Sequence, residues 1–77
     1  MREIPEDILN DVEKITNEVI KYDNKDNLSW TGVFKEVLKN LNMNNRKDTD
    51  LLLTNVVTMI TSLGYDIEPI PFKLKKY

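Results

Sequence analysis

Apolar positions in the first third of the chain recur at alternating spacings of four and three. Ile8, Val12, Ile15, Val19 and Tyr22 form this seam, flanked by Leu9 and Ile20. Asp11, Lys14, Asn17, Glu18 and Lys21 take the opposite side. Such a period predicts an amphipathic helix or a short coiled-coil seam. Pro5 suits a first helical position, and Glu6 and Asp7 follow where the helix dipole favours acids. The predicted helix covers about 5–22 and ends in Asp23-Asn24-Lys25-Asp26-Asn27, with Asn24 as a left-handed cap.

A second helix is predicted over 30–42. Ser29 offers an N-cap, and Gly32 falls in the first turn, where its cost is smaller than in mid-helix. Trp30, Val33, Phe34, Val37, Leu38 and Leu41 keep helical spacing, while Lys35, Glu36, Lys39 and Asn40 point away. Asn42-Met43-Asn44-Asn45 is too rich in Asn to continue the helix, and Asp48 offers an N-cap for a third, over 49–63. Leu52, Leu53, Val56, Met59, Ile60 and Leu63 define one face of it, widened by Leu51 and Val57. Its β-branched residues would also suit a buried strand pair, but length and spacing favour helix. Gly64 is placed as a left-handed cap, with Tyr65 folding back on Ile60.

All but the first two residues of this third helix lie in the charge-free run Leu51–Tyr65, within a chain of which 31% is charged. Thr54, Asn55, Thr58, Thr61 and Ser62 fall on its outer side, where a solvated helix normally carries Lys and Glu. These five are therefore candidate protein contacts. After Gly64 the pattern changes. Pro69 and Pro71 exclude helix and central strand, and Ile70, Phe72 and Leu74 alternate, which leaves an extended arm or edge strand. The arm either docks on a partner, through Ile70, Phe72 and Leu74, or packs back over the helices to enlarge a small core. Met43, an apolar residue in a polar link, is a further contact candidate.

The expected fold class is all-α: a three-helix bundle over 1–66, then an extended Pro-containing C-terminal arm over 67–77, in one domain. Its expected core is Ile8, Val12, Ile15, Val19, Trp30, Phe34, Val37, Leu38, Leu41, Leu52, Val56, Met59, Ile60 and Leu63. With 77 residues the core is marginal without good packing or self-association.

Composition narrows the chemistry. The chain has no Cys and no His, which removes disulfides, Cys- or His-ligated zinc and the commonest general base. Two glycines cannot write a P-loop or a dinucleotide fingerprint. Asp23–Phe34 has the Asp/Asn richness of a calcium loop, yet Lys25, Leu28 and Phe34 stand where that geometry needs an oxygen ligand, Gly and Glu. The carboxylates Asp7 and Asp11 sit one turn apart as an acidic face. The expectation is no enzyme, no metal and no cofactor. The N-terminus does not read as a signal peptide and the longest charge-free run is too short to span a bilayer, so a cytoplasmic, non-membrane protein is expected.

Net charge is −2, which argues against a generic polyanion binder. Charge is uneven, however, with an acidic first helix and Lys73, Lys75 and Lys76 near the C-terminus. Lys35, Lys39, Arg46 and Lys47 form a candidate nucleic-acid cluster. Leu63-Gly64-Tyr65-Asp66-Ile67 resembles the closing phrase of phage-repressor-type helix-turn-helix domains, where a final helix ends at Leu-Gly before an extended tail. That resemblance implies a dimeric DNA-binding regulator, although the Gly-containing turn between two short helices is not visible upstream. The first reading is a small protein-binding module, an accessory regulator or inhibitor of phage or mobile-element type. It acts by occupying a protein surface, and a second copy of itself is among its candidate partners. The alternative is the helix-turn-helix-like DNA-binding regulator.

Overall fold

The computed structural model describes residues 6–76 of the chain. Three helices, α1 (Glu6–Lys21), α2 (Trp30–Asn40) and α3 (Thr49–Ser62), precede two strands, β1 (Tyr65–Pro69) and β2 (Phe72–Lys76). The helices lie where hydrophobic period placed them; the position of Pro5 lies outside the described residues. The expected all-α class with a trailing arm is overturned. The arm is an antiparallel β-hairpin whose first strand starts directly after Gly64.

The hairpin register explains why the chain closes this way. Tyr65 faces Lys76, Asp66 faces Lys75, Ile67 faces Leu74, Glu68 faces Lys73 and Pro69 faces Phe72. Directly opposed residues share a face of the sheet. One face therefore carries Ile67, Leu74 and Phe72 toward the helices, and the other sets acids of β1 against lysines of β2. Ile70 and Pro71 form the turn, so neither proline interrupts the middle of a ladder. The alternation Ile70-Phe72-Leu74 is thus only partly structural: Ile70 is the 83% exposed tip, and Ile67 is the residue that pairs with Leu74.

Burial centres on Val12, Ile15, Val19, Val33, Leu52, Val56 and Ile60, joined by Ile8, Phe34, Val37, Leu38 and Phe72. Phe72 enters this core stacked on Trp30, with ring centroids 5.1 Å apart. Trp30, Leu41 and Met59, expected inside, are partly buried and pack against it. Leu63 is not core: it is 53% exposed, because it is the C-cap at the point where the chain leaves the helix. Thr16 is buried instead, and its hydroxyl has no hydrogen-bond partner among the described residues.

The caps divide similarly. The Ser29 hydroxyl accepts from the Gly32 amide, as an N-cap should. Asp48 occupies the N-cap position of α3 but makes no capping bond; its carboxylate is held by Arg46. Gly64 takes the left-handed conformation, with φ 92°. Asn24 is not the left-handed residue of the first loop; Asn27 is, with φ 54°. Asn24 ties the loop together. Its side-chain oxygen accepts from the Leu28 amide, and its nitrogen donates to the carbonyls of Leu28 and Phe72.

Candidate functional site

The outer face of α3 gathers Thr54, Asn55, Thr58, Thr61 and Ser62 along one stripe, with Leu51 at its N-terminal end, 47% exposed. Each of the five polar side chains donates to the carbonyl one turn earlier. Thr54 bonds to Asp50, Asn55 to Leu51, Thr58 to Thr54, Thr61 to Val57 and Ser62 to Thr58, at 2.8–3.0 Å. Such bonds occupy the donor within the helix. The face that remains consists of methyl groups, the Leu51 side chain, oxygen lone pairs and the second N–H of the Asn55 amide. Covering it removes no charge from water and strands few donors, so its desolvation costs little compared with a Lys/Glu face.

The other candidates are dispersed. Met43 is half-buried and packs on the core, as does Leu74, and Phe72 is only 4% exposed. Of the three apolar arm candidates, Ile70, Phe72 and Leu74, Ile70 alone stands free at the surface. The arm has taken the alternative of enlarging its own core.

The structure brings part of the basic cluster together, since Lys35, Lys39 and Arg46 share the lining of one cavity, while Lys47 is not in that lining. Arg46 grips Asp48 with both ends of its fork, Nε to Oδ1 at 2.8 Å and Nη2 to Oδ2 at 2.6 Å, while Nη1 donates to Asp11 of α1. The hydrogen bonds it donates to Asp48 and then Asp11 hold the guanidinium pKa above its ordinary value, and Arg46 in turn holds the Asp48 carboxyl below the usual range. Its charge is engaged by two carboxylates, and the three groups together are net negative. Lys35 and Lys39 are exposed on α2 and edge a cavity of about 460 Å³ whose floor includes Phe34, Leu38 and Leu53. Glu36 and Asp50 line the same cavity, so it presents no uniformly cationic surface. Lys47 is exposed on the link.

A second groove, about 340 Å³, runs between the end of α1 and β2, lined by Val19, Ile20, Tyr22 and Leu74, with Asn24 and Phe72 at one end. Sequence reasoning missed the tie that Asn24 makes to Phe72 and the Asp11–Arg46 contact. The latter joins residues 35 apart in sequence, and nothing in the local pattern announces it. Among the described residues no group of three or more Cys, His, Asp or Glu is placed to hold a metal ion, and no helix is long and apolar enough to cross a membrane. No protein family, curated protein or solved structure matches this chain.

Proposed function

We propose that this protein is a non-enzymatic binding module that lays the outer face of α3 against a surface of another protein. The observation that carries this reading is the self-satisfied, charge-free stripe Leu51–Ser62, in which each polar side chain returns a donor to the helix backbone. Three threonines at spacings of four and three give a shallow ridge, and small side chains let a second helix approach closely. Such a module would act as a cytoplasmic accessory regulator or inhibitor, by masking a surface its partner needs. The phage or mobile-element character rests on composition alone, on a short chain rich in Asn, Lys and Ile.

Thr58 is exposed at the centre of the stripe, so Thr58→Arg tests the reading with little threat to the fold. Affinity capture from the native host with the wild-type chain should retain a defined partner that the variant loses, while both give the same helical spectrum. Equal capture by both chains would exclude the α3 face. Light scattering across concentration identifies the case in which the partner is a second copy. The DNA-binding alternative now rests on Lys35, Lys39 and Lys47, since Arg46 is engaged. It predicts duplex binding that falls steeply with salt and weakens in Lys47→Ala. No binding to mixed duplex at low salt removes it.

A further inference from the structure

The outer edge of β2 is partly used already, and the way it is used shows what it can take. The Phe72 amide donates to the Leu28 carbonyl at 2.8 Å, and the Phe72 carbonyl accepts from Asn24. Both main-chain groups of Phe72 therefore point away from β1. In an antiparallel ladder the direction of these groups alternates along the strand. Leu74 consequently turns its amide and carbonyl the same way, beyond the stretch that the Asn24–Leu28 loop covers. No main-chain bond from Leu74 to a residue outside the hairpin occurs among the described residues. Beside this open edge lies the 340 Å³ groove lined by Val19, Ile20, Tyr22 and Leu74.

Charge selects the occupant. Lys73 and Lys75 flank Leu74 on the solvent face of β2, and β1 meets that triplet with Asp66-Ile67-Glu68, an acid–apolar–acid sequence in register. Lys75 also forms an ion pair with Glu68 across the strands. Opposite charges set across a strand pair favour pairing and like charges oppose it. A second copy offering its own β2 would set lysines against lysines, and edge lysines commonly guard a sheet against that contact.

We propose that the free edge of β2 is a strand-addition site for an extended acidic peptide segment of another protein. The segment carries an acid–apolar–acid triplet that pairs with Lys73-Leu74-Lys75. Its apolar residue enters the groove beside Val19, Ile20 and Tyr22, its main chain bonds to Leu74, and its two acids lie beside Lys73 and Lys75. This site is separate from the α3 face and does not depend on it.

The probe is a synthetic peptide, Thr-Val-Glu-Ile-Glu-Val-Thr, capped at both ends, with versions carrying Gln or Lys in place of both Glu residues. Titration into the isotope-labelled full chain at low salt should shift the Leu74 amide and slow its hydrogen exchange. Affinity should rank Glu above Gln above Lys, with about tenfold between the first two. Leu74→Pro removes the outward N–H without touching the ladder to β1 and should abolish binding. Should that variant lose its hairpin signals, the exchange rate of the wild-type Leu74 amide with and without peptide remains decisive. An unchanged Leu74 amide, or equal affinity for the three peptides, overturns the proposal. Protection of Leu74 that rises with protein concentration alone would assign the edge to a second copy and overturns it too.

Discussion

Asn24 shows how one side chain can join two parts of this chain that are far apart in sequence. Its amide bridges the Leu28 carbonyl and the Phe72 carbonyl, while its oxygen closes a local turn on the Leu28 amide. Asn24→Ala should cost about 1–3 kcal/mol, since it leaves part-buried groups without their partner. Asn24→Asp keeps the acceptor for Leu28 but loses both donations, so it should be intermediate or worse; chemical denaturation of the three chains gives the order. Thr16 makes the opposite case. Its hydroxyl is buried without a partner among the described residues, so Thr16→Val, nearly the same in shape, should be neutral or stabilising by about 1 kcal/mol. A clear loss of stability in Thr16→Val would show that the hydroxyl is bonded in solution. Neither role was legible in the sequence, because Asn in a polar loop reads as a local cap or turn former and Thr beside an apolar seam reads as its flank.

At the scale of elements, the helices were legible because a 3.6-residue period repeats over several turns and has few alternatives. The hairpin was not, for two reasons. Its first strand begins at Tyr65, directly after the Gly64 that closes α3, so Tyr65 reads as part of the helix stop and Ile67 as the start of a single extended arm. Its prolines read as breakers, although they occupy the last position of β1 and the turn, where a ladder tolerates them. The clue available was charge: Asp66 and Glu68 precede the turn as Lys73 and Lys75 follow it. Two changes test the junction and the docking. Gly64 has φ 92° and open space where a Cβ would stand, so Gly64→Ala should cost only the backbone strain, about 1–2 kcal/mol. Phe72→Ala removes the ring stacked on Trp30 and should cost about 3–5 kcal/mol. Trp30 fluorescence would report the second directly. An unshifted emission and unchanged stability in Phe72→Ala would mean that the hairpin does not dock on α2.

For the whole molecule, thickness sets the electrostatic problem. The protein extends 32 × 30 × 17 Å, so there is one thin core and nearly every element has a wet side. On that surface Arg46 joins α1, the link and the start of α3 through Asp11 and Asp48, while Lys75 and Glu68 tie the two strands. Arg46 holds Asp48 below its ordinary value of 3.8, and Lys75 holds Glu68 below 4.5. A carboxyl depressed in this way takes up its proton less readily folded than unfolded, so folding is favoured where it is ionised. Both contributions are therefore complete above the ordinary values and are withdrawn as pH falls through the depressed ones. Thermal unfolding should be flat from neutral pH to about pH 5 and then fall steadily with further acidification. Arg46→Met should unfold at a lower temperature than the wild type near neutral pH. It should also lose less on acidification, because Asp48 then titrates closer to its unfolded value. Added salt should narrow the gap between the two chains, since all three partners are partly solvated. Parallel curves for the two chains down to about pH 2 would show that Arg46 does not couple to Asp48, and the clamp joining α1 to α3 would then have no energetic content.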